Sequence, residues 1–175
     1  MFIDLVRKRR SIRRYTNQPL GESHIATLKE TALRSFSSRR IDPWEFIFVT
    51  DAGLLQKLAR AKHGAVCLEG AALGIVICAD SAQSDVWIED CSVAATMLTF
   101  AAEELELGSC WVQIRNRNHS DTISAEAYVR EILAIPEHIS VASIIAVGNP
   151  AEHPEGHGPE RMDMKKIHRE TYAPG

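Results

Sequence analysis

An apolar run from Ala71 to Ala79 is the feature that most restricts what this chain can fold into. It reads Ala-Ala-Leu-Gly-Ile-Val-Ile-Cys-Ala and is the longest such run in the sequence. Nine residues are too few to span a bilayer as a helix. A strand that is apolar on both sides is typical of a sheet with both faces covered. We therefore predict that residues 71–79 form a buried, central strand.

The residues on either side of this run alternate between strand and helix patterns. Further strands are predicted at residues 44–50, 109–114 and 140–147. Two helices are predicted at residues 2–9 and 87–107, and Gly108 is the predicted C-cap of the second. Three more helices are predicted to begin after an N-cap residue. They run from Ser23 to Leu33, from Asp51 to about Lys62, and from Ser124 to Leu133.

The chain is predicted to form one domain over residues 1–175, in which 151–175 is an extended, polar C-terminal tail. It has 175 residues, of which 45% are hydrophobic and 25% are charged. This length and composition are typical of a single globular domain with a sizeable core. The N-terminus has charges but no apolar region of the signal-peptide kind, so a cytoplasmic location is expected, without a membrane partner.

The predicted helix at 87–107 is apolar around much of its circumference. The small and apolar side chains that line it are Ala94, Ala95, Leu98, Ala101, Ala102 and Leu105. A monomer of this size has too little core to bury such a helix on every side. We predict that the sheet covers one face and a partner subunit the other. The alternative is an ordinary helix buried in the centre of a monomer.

A cluster of cations lies between Arg7 and Arg14. It contains six of the twenty Lys and Arg residues of a chain whose net charge is −3. Ser11, inside the cluster, adds a hydroxyl donor, and arginine binds phosphate through a planar fork of N–H groups. A phosphorylated ligand and a merely solvated helix face both remain open. The sequence pI near 6.2 argues against nucleic acid as a partner.

The cysteine and histidine patterns indicate no metal site. Cys67, Cys78, Cys91 and Cys110 form no C-x-x-C pair, so we predict buried, free thiols. His153 and His157 have tolerable ligand spacing, but they lie in a Pro- and Gly-rich tail without a helix to align them.

Five segments of the chain are considered together, in the order in which they occur. They are Arg-Arg-Ser-Ile-Arg-Arg-Tyr at 9–15, Ser-Ser-Arg-Arg-Ile-Asp-Pro-Trp-Glu-Phe at 37–46, Glu-Leu-Gly-Ser-Cys-Trp-Val at 106–112, Leu-Ala-Ile-Pro-Glu at 133–137 followed by Ile-Ile-Ala-Val-Gly-Asn-Pro at 144–150, and Arg161 followed by Lys-Ile-His at 166–168. In this order they resemble motifs of the nitroreductase family of FMN flavoproteins.

The resemblance implies an α+β fold with three α/β/α layers, a mostly antiparallel central sheet and an intertwined homodimer. FMN would then lie at the subunit interface. The positions that match the family's FMN-binding residues are Arg9, Arg10, Ser11, Arg13, Ser37, Ser38, Arg40, Gln113, Ile114 and Arg161. Lys165 and Lys166 are weaker candidates.

Individual roles also follow from the resemblance. Arg13 would place a cation at the pyrimidine edge of the flavin, and Ser37 and Ser38 would come from the other subunit. Gln113 and Ile114 fall where backbone groups approach flavin N5, and Arg161 would contact the phosphate. No catalytic acid, base or nucleophile of the protein is implied.

The second motif departs from the family pattern at three positions. Phe36 replaces the opening Pro, Arg40 the usual Asn, and Asp42 the usual Gln. Arg40 could donate to a flavin oxygen, or Asp42 could neutralise it and leave the pair merely structural.

The implied function is an FMN-dependent oxidoreductase that uses NADH or NADPH to reduce nitroaromatic, quinone or similar electron-poor acceptors by a ping-pong mechanism. The alternatives are a relative that dehalogenates its substrate or consumes the flavin, and a non-enzymatic protein that binds FMN or RNA. The motifs do not distinguish NADH from NADPH.

Overall fold

The computed structural model describes residues 1–172, which form a four-stranded sheet with helices on both faces. The strands are β1 (Trp44–Val49), β2 (Leu73–Asp80), β3 (Gly108–Gln113) and β4 (Ile139–Gly148). The helices are α1 (Phe2–Lys8), α2 (Glu22–Leu33), α3 (Ala52–Leu58), α4 (Trp87–Glu104) and α5 (Ala125–Leu133). The sheet order is β1-β2-β4-β3, and each neighbouring pair is antiparallel.

Strand β2 lies inside the sheet, which confirms the prediction made from the apolar run. It pairs with β1 on one side and with β4 on the other, so that Ile75 lies opposite Phe48 and Ile145. Residues 73–79 are all buried. A strand hydrogen-bonded on both edges and covered on both faces has no position for a polar side chain, and this explains its composition.

Two separate apolar cores confirm the three-layer α+β architecture. On one face of the sheet, Ile75 and Ile77 pack with Leu98 of α4 and Leu28 of α2. On the other face, alternate residues of the same strand, such as Val76, join side chains of α3 and α5. Because successive side chains of a strand point to opposite faces, one strand contributes to both cores.

Two of the three predicted N-caps are confirmed. The Asp51 side chain accepts a hydrogen bond from the Leu54 amide at 2.8 Å. Ser124 Oγ accepts one from the Ala127 amide at 3.0 Å. The prediction for Ser23 is wrong, because Gly21 occupies the N-cap with extended backbone and Ser23 lies within the first turn of α2.

Two predicted helix ends are also corrected. Helix α3 ends at Leu58 rather than near Lys62. After its C-cap residue, the backbone amides donate to carbonyls three residues earlier, as in a 3₁₀ turn, instead of four residues earlier. Helix α4 ends at Glu104, and Glu106 rather than Gly108 adopts the left-handed backbone, with φ 58°. The Leu107 amide then donates to the Ala102 carbonyl at 2.8 Å, which closes the helix before Gly108.

All four cysteines are buried and unbridged, as predicted. Among the helices of residues 1–172, none is both long enough and apolar enough to cross a membrane. The tail after β4 has short 3₁₀ turns at Pro159–Arg161 and Met164–Lys166.

Candidate functional site

The basic segment at residues 9–15 is held in an extended conformation beside the start of β3. Ser11 forms a parallel bridge with Ser109, and the Ile12 amide donates to the Ser109 carbonyl at 2.9 Å. On the other side, the Ala151 amide donates to the Arg14 carbonyl at 2.9 Å. The segment is therefore fixed between a strand and the chain that leaves β4, and it is not a free basic arm.

Gly108 allows this close approach. A Cβ atom at position 108 would lie 2.7 Å from Ile12 Cγ2 and 2.9 Å from Ile12 Cβ. Only a residue without a side chain fits there. Ile12, 7% exposed, packs into the core, which leaves its neighbours Ser11 and Arg13 at the surface of the segment.

Glu152 binds the backbone of the same segment. Its Oε1 atom accepts hydrogen bonds from the Arg13 amide at 2.6 Å and from the Arg14 amide at 3.3 Å. The bond from the Arg13 amide is the main reason why the pKa of Glu152 lies below its ordinary value of 4.5. A charged carboxylate thus holds the segment in place at neutral pH.

We expect Glu152→Gln to lower stability at neutral pH and to remove part of its pH dependence. The pKa of Glu152 is lower in the folded state than in the unfolded state. Its contribution to the free energy of unfolding is therefore present above pH 4.5 and is lost as the pH falls through the folded-state pKa. Urea unfolding of both proteins, from pH 7 to about 3.5, measures this difference. Glu137→Gln, at an exposed site, is the control. The role of Glu152 would be contradicted if the stability difference between Glu152→Gln and the wild type stayed constant below pH 4.5, or if Glu137→Gln showed the same difference.

Two of the predicted phosphate-binding arginines, Arg10 and Arg161, contact the tail segment at residues 155–157. The Arg161 guanidinium lies 3.3 Å from His157 Nδ1. Arg10 donates to the carbonyl of Glu155, two residues before that histidine. The pKa of His157 is lowered, chiefly by the charge of Arg10, with further contributions from Arg161 and Arg9.

The lowered pKa indicates a positive potential at His157, where the Arg10 and Arg161 guanidinium groups lie close by. In residues 1–172, the ion pairs include none formed by Arg9, Arg10 or Arg161 with a carboxylate. Converging, unpaired guanidinium groups with a hydroxyl at Ser11 are suited to bind a phosphate. The solvated-face interpretation is less consistent with this arrangement, because the tail brings Arg161 to the cluster from the far end of the chain.

Arg13 is exposed and lies at the edge of this cluster. Its Nη1 atom donates weakly to the Ser11 carbonyl at 3.4 Å. The guanidinium group is therefore loosely held, and it is available to a ligand that spans Ser11 and Arg13.

The second predicted motif lies elsewhere, at the N-terminal end of α4. The Ser38 amide donates to Asp90 Oδ1 at 2.7 Å, whereas α1 contacts the other end of α4 through Lys8 and Glu103, 3.2 Å apart. Asp90 and Glu103 are separated by about 20 Å along the helix axis. A single chain thus places Ser38 away from Arg10.

Among residues 1–172, Asp42 and Arg40 do not form an ion pair. Its carboxylate accepts a hydrogen bond from Ser37 Oγ at 2.5 Å, and its amide donates back to that oxygen at 2.9 Å. Both Arg40 and Asp42 have left-handed backbone, with φ of 55° and 52°. Asp42 therefore shapes the turn that presents Ser37, and Arg40 keeps its charge.

Gln113 is the last residue of β3, and Ile114 follows it. The Gln113 carboxamide accepts from Trp111 Nε1 and donates to the Arg115 carbonyl, both at 3.0 Å. Its amide nitrogen carries a second hydrogen that these bonds do not use. The Ile114 side chain is fully buried, and its amide donates to the Ala142 carbonyl at 3.3 Å. Gln113 is thus the member of the pair that presents a side chain outward.

The sequence analysis did not identify Glu152 and His157 as site residues. His157 was considered only as a metal ligand, and in residues 1–172 no group of His, Cys, Asp and Glu side chains could hold a metal. Glu152 follows the Gly-Asn-Pro turn after β4, but no local pattern links it to Arg13. Lys165 and Lys166 lie in an exposed 3₁₀ turn of the tail.

Comparison with known sequences places the chain in a family. A profile of the nitroreductase family matches residues 6–87 and 67–149. A relative from Archaeoglobus fulgidus, provisionally named an NADH dehydrogenase/NAD(P)H nitroreductase, is 32% identical over 175 residues, covering 97% of this chain and 98% of its own. A protein of Bacillus subtilis named FMN reductase (NADPH) is 26% identical and covers 97% of this chain and 74% of its own.

Comparison of structures agrees. A solved structure described as an FMN-dependent nitroreductase from Clostridium difficile has a TM-score of 0.95 and 40% sequence identity. The match covers 97% of this chain and 99% of that one, so the similarity includes the strand edge, the α4 termini and most of the tail.

Proposed function

The chain belongs to the nitroreductase family, and we propose that it is an FMN-dependent oxidoreductase that uses NADH or NADPH to reduce nitroaromatic, quinone or similar electron-poor acceptors. The single observation that carries this proposal is the approach of Arg10 and Arg161 to the same tail segment, at residues 155–157. Their guanidinium groups provide the N–H donors and the positive charge that the phosphate of FMN requires.

The residues present are suited to FMN along the whole segment. Arg9, Arg10 and Arg161 would bind the phosphate, and the half-buried Ser11 would donate to the same end of the cofactor. The extended chain from Ser11 to Arg13 runs alongside the start of β3, so that Gln113, at the far end of that strand, would lie near the flavin ring.

The protein's own contribution to the reaction is binding, orientation and charge. FMN, when bound, supplies the hydride-accepting N5 position. Arg13 would provide positive charge at the pyrimidine edge, where negative charge increases on reduction. The unused amide hydrogen of Gln113 would orient the ring. None of these roles requires a side chain that accepts or donates a proton.

We also propose that two copies of the chain form the complete site. An apolar groove of about 470 Å³ runs along the face of α4 opposite the sheet. Its lining includes Phe2, Phe36, Val93, Met97 and Phe100. Exposed apolar surface of this kind is typical of an interface. Ser37 and Ser38 directly follow Phe36, so a second copy packed in the groove would bring both hydroxyls to the interface.

Met97→Glu is expected to convert the dimer into monomers, because a carboxylate in the groove would have to be desolvated against apolar side chains. Sedimentation velocity measures the change, with the exposed helix residue Glu30→Gln as a control. A wild-type protein that sediments as a monomer, or a Met97→Glu variant that remains dimeric, would contradict this proposal.

His157 should make FMN binding depend on pH. In the free protein its pKa lies below the ordinary value of 6.5 because of Arg10. A bound phosphate would favour the imidazolium form and raise that pKa. Binding would then be accompanied by proton uptake, and the FMN affinity should increase as the pH is lowered from about 8 toward 6.5. The His157→Gln variant should lose this extra slope; an identical slope in both proteins would contradict the prediction.

Steady-state kinetics tests the proposed function. Because reductant and acceptor use the same site in turn, initial rates at several fixed acceptor concentrations should give parallel double-reciprocal plots with NADH or NADPH. Intersecting plots would contradict the ping-pong mechanism. No NAD(P)H oxidation with any quinone or nitro compound, in protein loaded with FMN, would contradict the function itself.

A further inference from the structure

We propose that Arg115 makes this protein prefer acceptors that carry a negative charge, such as nitroaromatic carboxylates, over neutral acceptors of the same shape. The inference rests on the proposed function, because it is Gln113 that places this part of the chain beside the flavin. It goes further by assigning a substrate class and the residue that selects it.

The backbone of Arg115 is fixed relative to Gln113. The Arg115 amide donates to the Ala142 carbonyl at 3.0 Å, and the Arg115 carbonyl accepts from Gln113 Nε2 at 3.0 Å. Trp111 holds Gln113 from the other side at 3.0 Å. These bonds hold the backbone of Arg115 beside the Gln113 side chain. If Gln113 lies beside the flavin, as proposed above, Arg115 begins next to the reacting end of the site.

The Arg115 side chain is half-buried and lies over the ring of Trp87, with 5.8 Å between the guanidinium carbon and the ring centroid. Stacking on an aromatic ring leaves the N–H groups around the edge of the guanidinium plane free to bind an anion. Trp87 is the first residue of α4, so the position of the cation is set by a helix and a strand together.

The charge of Arg115 is not neutralised within the described part of the chain. Arg39, near the same end of α4, is by contrast paired with Asp85 at 2.5 Å. Among residues 1–172, no ion pair includes Arg115. Asp90, on the first turns of the same helix, is already bonded to the Ser38 amide and the Ser84 hydroxyl.

An acceptor suits this cation better than the reductant does. The additional phosphate of NADPH is on the adenosine ribose, far from the nicotinamide that must reach the flavin. A carboxylate on a nitroaromatic ring, by contrast, is only a few bonds from the group that is reduced. The carboxylate of a stacked acceptor is therefore the anion expected beside Arg115.

The test compares para-nitrobenzoate with para-nitrobenzamide, which differ in charge but hardly in shape. The ratio of the two kcat/KM values measures the selectivity. In Arg115→Gln, this ratio should fall about tenfold, the loss expected for one charge-assisted hydrogen bond, and Arg115→Lys should retain part of it. Arg117→Gln is the matched control, because Arg117 is exposed and donates to the adjacent Asn116 carbonyl at 2.8 Å.

The outcomes separate this inference from the proposed function. A wild-type protein that reduces both compounds equally well, or an Arg115→Gln variant with an unchanged ratio, would overturn the inference and leave the oxidoreductase function standing. The same decrease of the kcat/KM ratio in Arg117→Gln would also overturn it, since the selectivity would then come from the overall charge of the protein and not from Arg115. Failure of the FMN-loaded wild type to reduce either compound would contradict the proposed function and the inference with it.

Discussion

Replacing Arg10 and Arg161 together by glutamine is expected to weaken FMN binding by about a hundredfold or more. Each arginine would make a charge-assisted hydrogen bond to the phosphate, and such a bond contributes about 1.5–3 kcal/mol. Two lost bonds therefore correspond to at least about 3 kcal/mol, or two factors of ten in the dissociation constant. Quenching of flavin fluorescence during titration measures the change.

Arg34→Gln is the control for this double substitution. Arg34 is also an exposed arginine, but it pairs with Glu30 on α2 at 2.7 Å, away from the cluster. Its loss should leave the FMN dissociation constant unchanged, since an exposed ion pair contributes little. Equal FMN affinity in the double variant and the wild type would show that the phosphate binds elsewhere.

Gly108→Ala is expected to lower the free energy of unfolding by about 1–3 kcal/mol, the usual cost of inserting an extra methyl group into a packed site. The new Cβ would overlap Ile12 at 2.7 Å. Since Ile12 lies between Ser11 and Arg13, the displacement would also move both residues and weaken FMN binding. Urea unfolding and flavin titration measure the two effects.

Gly70→Ala is the control that tests whether the loss of stability is specific to position 108. Its new Cβ would meet only Tyr15 Cδ2, at 4.0 Å, which is an ordinary contact. That variant should stay within about 0.5 kcal/mol of the wild type. If Gly108→Ala were as stable as Gly70→Ala and bound FMN normally, the close packing of Ile12 on β3 would not be required for the site.

The parts of the fold predicted correctly from sequence are those set by short-range chemistry. The uninterrupted apolar run at residues 71–79, most of which lies in β2, requires coverage on both faces, and the structure provides it. Asp51 and Ser124 cap the helices that follow them, because a short polar side chain reaches an amide three residues on. Ser23 has the same chemistry but lies two residues too late, and Gly21 forms the cap instead.

The parts that could not be predicted depend on contacts between distant residues. Glu152 bonds to the Arg13 amide across almost the whole chain, and no local pattern marks that pairing. His157 becomes informative only when the tail brings Arg161 back to Arg10. Gly108 appeared to be a helix cap because a glycine after a helix commonly is one. Its close approach to Ile12 is visible only in three dimensions.

The resemblance to the nitroreductase family identified the family correctly, and the structure adds how the residues are arranged. Arg10, which is flanked in the chain by Arg9 and Ser11, and Arg161 contact the same tail segment, and Gln113 ends the adjacent strand. Their contacts with FMN, and those of Ser37, Ser38 and Arg40 across an interface, remain predictions.

The most direct test of the central claim is the visible absorption spectrum of the protein, loaded with FMN, before and after NADH or NADPH is added in the absence of oxygen. We expect FMN to stay with the protein through gel filtration and its visible absorption to bleach when the reductant is added. Flavin that separates from the protein during filtration, or that stays bound and oxidised with both reductants, would contradict the central claim.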